Sequence, residues 1–255
     1  GVWDGVPPAH IEDALFYYSR MHEVIDGNFF FGNPAYIEHS KSVASSFSIS
    51  EWMAALPLAV THSWAVTIIW NNIFWPLLTV LLLYFFFRAL EFSKWGSALG
   101  AFFVLLQMIL LFERPVIMQV PYAAFAALML VGVRWLKEDT SKNSVWLAVV
   151  SAAAALVWVF LGGVAALMLG FVFVYFLWLR DWPRVRSLLK IGLFSILLVL
   201  PLIVLQAPLL FDSSYHDMLM RFGLVASHIP STDAWYYGRW LALLGVALLL
   251  GPHDY

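Results

Sequence analysis

The chain has 255 residues, of which 62% are hydrophobic and only 12% charged, with a net charge of −2 and a mean hydropathy of +0.83. This composition excludes an ordinary soluble domain and describes an all-α, polytopic transmembrane bundle, in which each span takes roughly 17–25 apolar residues. Nothing in it is basic enough to imply nucleic acid, and the absence of cysteine rules out disulfides and thiolate metal sites.

Residues 1–50 are polar, acidic and aromatic, and are read as an extracytoplasmic loop ahead of a transmembrane region, 51–255. Inside the loop, 7–27 predicts an amphipathic helix, with Pro7-Pro8 at its entry and Gly27 as its stop. Ile11, Leu15, Tyr18, Met21 and Ile25 form its apolar stripe. Asp13, Tyr17 and Arg20 stand at i, i+4 and i+7 and share a second face, with Glu12 beside them in the first turn. That face reads either as a general base next to a phosphate anchor or as an ordinary charge arrangement on a solvated surface.

Residues 51–65 hold Pro57 and His62 and suggest an interfacial or re-entrant helix. Apolar runs then predict about seven spans, near 66–88, 96–112, 116–133, 145–160, 162–179, 188–206 and 239–251. The stretch 145–179 would reach roughly 52 Å as one helix, well beyond a hydrocarbon core of ~30 Å, so a break is expected at Gly162-Gly163. Lys and Arg concentrate in short cytoplasmic loops. Arg88, Lys94, Arg134, Lys137, Lys142, Arg180, Arg184, Arg186 and Lys190 all fall on one side under this topology. The other side receives residues 1–50, the turn at Glu113-Arg114-Pro115, a turn near 160–163 and the loop 207–238, with most of the acids and His. The Ala152–Ala155 run permits close helix packing. Lacking an initiator Met and opening inside a polar segment, the chain reads as an internal piece of a longer protein.

The run Glu12-Asp13-Ala14-Leu15-Phe16-Tyr17-Tyr18-Ser19-Arg20-Met21-His22-Glu23-Val24-Ile25-Asp26-Gly27-Asn28, continuing to Gly32-Asn33-Pro34-Ala35-Tyr36-Ile37-Glu38-His39, resembles the first extracytoplasmic loop of GT-C class glycosyltransferases. These are polytopic enzymes that take a sugar from a polyprenyl-phosphate carrier, among them protein mannosyltransferases, aminoarabinose transferases and oligosaccharyltransferases. The resemblance implies that the loop follows a first span, opens on a catalytic or metal-binding acid, and continues as an aromatic helix lying on the membrane. It implies Asp13 as the catalytic residue with Glu12 as its substitute, since the acidic pair stands here in the order Glu-Asp. Arg114-Pro115 at an outer turn matches the same layout.

The chemistry of such a donor asks independently for outer-face cations, a carboxylate and aromatic side chains. Arg20, Arg114, Arg221, His228 and Arg239 are the candidates for the donor phosphate, and Tyr17, Tyr36, His39 and Trp235 for the sugar or acceptor. Interfacial anchoring and structural ion pairing are the competing explanations of each. No sequential ligand motif is present, so no cofactor is expected; the alternative is a divalent cation at Asp13, His39 and His216.

The expected function is transfer of a sugar from a polyprenyl-phosphate donor to a protein, lipid or glycan acceptor, on the extracytoplasmic face of a plasma or ER-type membrane. The competing classes are a transporter or flippase, a non-catalytic membrane scaffold of surface-polysaccharide synthesis, and a polymerase or ligase of surface polysaccharide with a different catalytic loop. Transport calls for ionisable groups near the midplane, and the predicted spans carry none away from their ends.

Overall fold

A computed structural model describes residues 14–28, 49–108, 116 and 119–207. Every regular element among them is an α-helix: α1 Ala14–Ile25, α2 Ile49–Thr61, α3 Trp64–Ala89, α4 Lys94–Met108, α5 Gln119–Lys137, α6 Ser141–Val157, α7 Val159–Trp178 and α8 Trp182–Gln206. The chain divides into two compact units, Gly1–Gln206 and Ala207–Tyr255. The predicted outer loop 207–238 and span 239–251 lie outside the described residues, apart from Ala207.

The boundaries follow from local chemistry. Gly27, at φ +88°, closes α1: its amide donates to the Val24 carbonyl and the Asn28 amide to that of Glu23, the paired bonds of a Schellman stop. Ser63 caps α3 by accepting from the Val66 amide, Thr140 caps α6 through Asn143, and the Asp181 carboxylate takes the Arg184 amide at the start of α8. The segment 51–65, expected as an interfacial helix, supplies α2, which contains Pro57 and is joined to α3 through His62 in the left-handed region at φ 51°.

Four helices, α3, α5, α7 and α8, are long and apolar enough to cross a membrane. With the shorter α4 and α6 they stand where six of the spans were predicted. α7 and α8 bury only 17% of their spanning windows inside the protein, and α7 turns Phe171, Val174 and Trp178 outward. Such surfaces require lipid as solvent.

The expected break in 145–179 exists, but at Trp158 rather than at Gly162-Gly163. Trp158 is extended, φ −159° and ψ 123°, and the Leu161 and Gly162 amides turn back onto its carbonyl. The Val157 carbonyl, which Leu161 would serve in a continuous helix, accepts instead from the Ser50 hydroxyl at 2.6 Å. Gly162 sits inside α7, where a Cβ would lie 2.8 Å from the Ala155 Cβ and 2.9 Å from its Cα. Its role is therefore close approach of α7 to α6, and the bend belongs to the tryptophan.

The three basic turns gather at one end. Lys137 pairs with Glu91 of the α3–α4 turn, and Asp139 of the α5–α6 turn accepts from Ser187 of α8 at 2.8 Å. Below them a buried cluster including Leu128, Trp135, Leu147, Phe176, Leu188 and Ile191 holds α5 to α8 together. At the opposite end α1 and α2 lie against the first half of α3, the start of α5 and the last residue of α6.

Candidate functional site

The described part of the candidate site is the platform that α1 and α2 form at the end away from the basic turns. Its floor is one apolar cluster of Met21 and Val24 from α1, Ala54 and Ala55 from α2, Trp75 from α3, Val120 and Ala123 from α5, Val157 and Val116. Tyr17, Tyr18, Trp52 and Trp64 pack around it. Val116 comes two residues after Arg114, holds φ 64° and is 1% exposed. For a β-branched residue that backbone costs roughly 1–3 kcal/mol, and burial in the cluster is what holds it.

Buried in this apolar floor is an ion pair. Arg20 Nε donates to Glu51 Oε1 at 2.6 Å, with both side chains more than nine-tenths buried. Glu51 lies in the first turn of α2, where the helix dipole favours an anion, so Arg20 meets a carboxylate already oriented by its own helix. Asn71 adds a second polar tie: its amide donates to the Ala54 carbonyl at 2.9 Å, and its oxygen accepts from the Trp75 indole at 3.0 Å.

The outward side of α1 carries different chemistry. His22 Nδ1 and Asp26 Oδ2 are 3.0 Å apart and exposed, His22 stacks on Trp64 at 6.4 Å between ring centroids, and Asn28 donates to Glu23 at 2.8 Å. Tyr18 meets Trp64 edge to face at 5.5 Å, and burial pushes its phenol above the ordinary 10.0.

The structure turns the described part of the expected second face, Tyr17 and Arg20, inward. Arg20 lies with Met21 and Val24 against α2, and Tyr17 is half-buried beside them, so neither stands on a solvated stripe. Of the remaining residues singled out in the sequence, Glu12, Asp13, Tyr36, His39, Arg114, His216, Arg221, His228, Trp235 and Arg239 lie outside the described residues. Among the described residues no three His, Asp or Glu side chains gather as metal ligands.

Two features escaped the sequence reading. Glu51 is 31 positions from Arg20, and no periodicity links them; the available signal is Glu51 itself, a lone acid at the head of an apolar helix. The His22–Asp26 pair is an i,i+4 spacing, legible in the sequence beside the 13–17–20 stripe.

The fold and platform together define a class: an all-α polytopic membrane bundle bearing an amphipathic helix pinned to one end by a buried ion pair. No protein-family model, curated protein or solved structure matches this chain.

Proposed function

We propose that this protein is a GT-C type glycosyltransferase, drawing a sugar from a polyprenyl-phosphate donor at the end of the bundle that carries α1. The observation that carries the reading is that α1 and Val116, the residue just past the Arg114-Pro115 turn, pack into one cluster at the end opposite the basic turns. In the sequence Asp13 immediately precedes α1 and Arg114 stands two residues before Val116, which supports this reading. In this reading Asp13, or Glu12 in its place, takes the proton from an acceptor hydroxyl; that oxygen attacks the anomeric carbon, and the bond to phosphate breaks. Arg114 stabilises the departing polyprenyl phosphate, with Arg221, His228 and Arg239 as further candidates. Arg20 fixes the helix on α2. A divalent cation is compatible with this scheme but is not required by it.

Ion-coupled transport is the weaker reading, because α3 to α7 carry no Asp, Glu, Lys or Arg away from their ends. The test follows release of polyprenyl phosphate from labelled polyprenyl-phosphate hexoses and pentoses in proteoliposomes. Asp13→Asn should lower transfer roughly 10²–10⁴-fold with donor still bound, and Arg114→Ala should weaken donor binding. Full activity in both Asp13→Asn and Glu12→Gln removes the loop carboxylate as base; no release from any donor returns the chain to the scaffold class.

A further inference from the structure

At the basic end, α6 and α8 leave a cleft of about 470 Å³. Both helices start at this end and run in parallel, in a register fixed by Ser144 facing Ser187 at 3.2 Å and by Ser195 donating to the Ala148 carbonyl at 3.0 Å. Arg186, Lys190 and Phe194 fall at i, i+4 and i+8 on the cleft side of α8, opposite Ser141, Val145 and Ala148 on α6. Along α8 the lining passes from Arg186 and Lys190 to Ile191 and Phe194, with Ser141, Ser144 and Val145 of α6 facing the first part and Ala148 the rest.

Two of the cations at this end are paired, and Arg186 and Lys190 are not among them. Lys137 pairs with Glu91, while Arg184 sits 3.6 Å from Asp181 and over the Phe176 ring. Arg186 and Lys190 make no ion pair among the described residues. The carboxylate in the cleft, Asp139, accepts through Oδ1 from Trp135 at 2.9 Å, Ser144 at 3.1 Å and Ser187 at 2.8 Å. It is held as a structural acceptor for the turn and keeps its charge, so Arg186 and Lys190 leave the cleft with one positive charge in excess. The first turn of α6, through Ser141, adds the positive end of a helix dipole to the same cleft.

We infer that this cleft is a binding site for an anionic phospholipid, its phosphate between Arg186 and Lys190 and an acyl chain along Ala148, Ile191 and Phe194. An amphiphile is favoured over a soluble anion because half of the groove is apolar, and a free phosphate gains nothing from that half. The site lies at the other end of the bundle from the α1–α2 platform and does not depend on the glycosyltransferase reading.

The experiment uses the purified chain in mixed micelles, with lipid affinity measured by native mass spectrometry and thermal unfolding as a second readout. Palmitoyl-oleoyl phosphatidylglycerol should bind and raise the unfolding temperature, whereas the phosphatidylcholine of the same chains and inorganic phosphate alone should not. Arg186→Gln with Lys190→Gln should weaken phosphatidylglycerol binding roughly tenfold or more, while leaving lipid-free unfolding unchanged. Lys94→Gln with Arg180→Gln removes the same charge from neighbouring turns and should leave binding intact. The inference is overturned if the two double variants lose affinity equally, if the Arg186/Lys190 variant keeps it, or if phosphatidylcholine or inorganic phosphate matches phosphatidylglycerol.

Discussion

Replacing Arg20 by Met leaves Glu51 as a lone carboxylate in the floor of the platform. Removing one partner of a buried pair typically destabilises by about 3–5 kcal/mol, because the remaining charge keeps its desolvation penalty without its counter-charge. Against this stand Met21 and Val24, buried to 1% and 7% exposure, whose apolar burial contributes roughly 1.5–3 kcal/mol each. The two sums are comparable, so the variant should release α1 locally and rehydrate Glu51 without unfolding the bundle. Hydrogen exchange reads this directly: amides of 17–25 should exchange roughly 10²–10³-fold faster, with those of α5 and α6 unchanged. Glu51→Leu should be milder, since the long Arg20 stem lets its guanidinium reach water. Arg20→Met combined with Glu51→Leu should recover most of the protection, an apolar pair being able to replace a buried ionic one. Exchange within about threefold of wild type in both single variants would show that the ion pair does not hold α1, and that apolar contact alone does.

Two further outcomes follow from local geometry. Gly162→Ala must displace Ala155 backbone and should lower stability by about 1–3 kcal/mol, whereas Gly163→Ala, with nothing within 4 Å of its added carbon, should be neutral or stabilising; thermal unfolding of the two variants side by side checks the pair. Burial raises the Tyr18 phenol above 10.0, so its contribution to α1 docking is complete below pH 10 and is lost as pH climbs through the raised value. Exchange of α1 amides should accelerate over that window in wild type and less steeply in Tyr18→Phe; identical profiles would remove Tyr18 as the cause.

The spans were legible in the sequence because two independent signals coincide there: hydropathy sets helix length, and basic residues mark alternate turns. That agreement located α3 to α8 within a few residues and anticipated the shared end of the three basic turns. The Gly162-Gly163 break was misplaced for a physical reason. In water a glycine pair argues for a turn, but between packed apolar helices the missing side chain serves contact, as Ala155 against Gly162 demonstrates. The loop helix was legible in existence, in its Gly27 stop, and in Met21 and Ile25 as packing residues. Its rotation was not. The 13–17–20 stripe is charged and therefore reads as wet, and only the distant Glu51 makes burial of Arg20 tolerable. Likewise the hydroxyl of Ser50 has no visible task until the Trp158 break frees the carbonyl that it meets.

The dependence of the platform on late-arriving helices has a consequence for biosynthesis. A chain is made from its N-terminus, so α1 and α2 emerge first, yet their seat is completed by Val120 and Ala123 of α5 and by the Val157 carbonyl at the end of α6. Until Val157 is in place the floor holds only its α2, α3 and α5 parts, and the Ser50 hydroxyl has no carbonyl to meet. Full seating of the α1–α2 pair therefore waits on α5 and α6, whereas the Arg20–Glu51 bond joins the two earliest described helices to each other and needs nothing made after them.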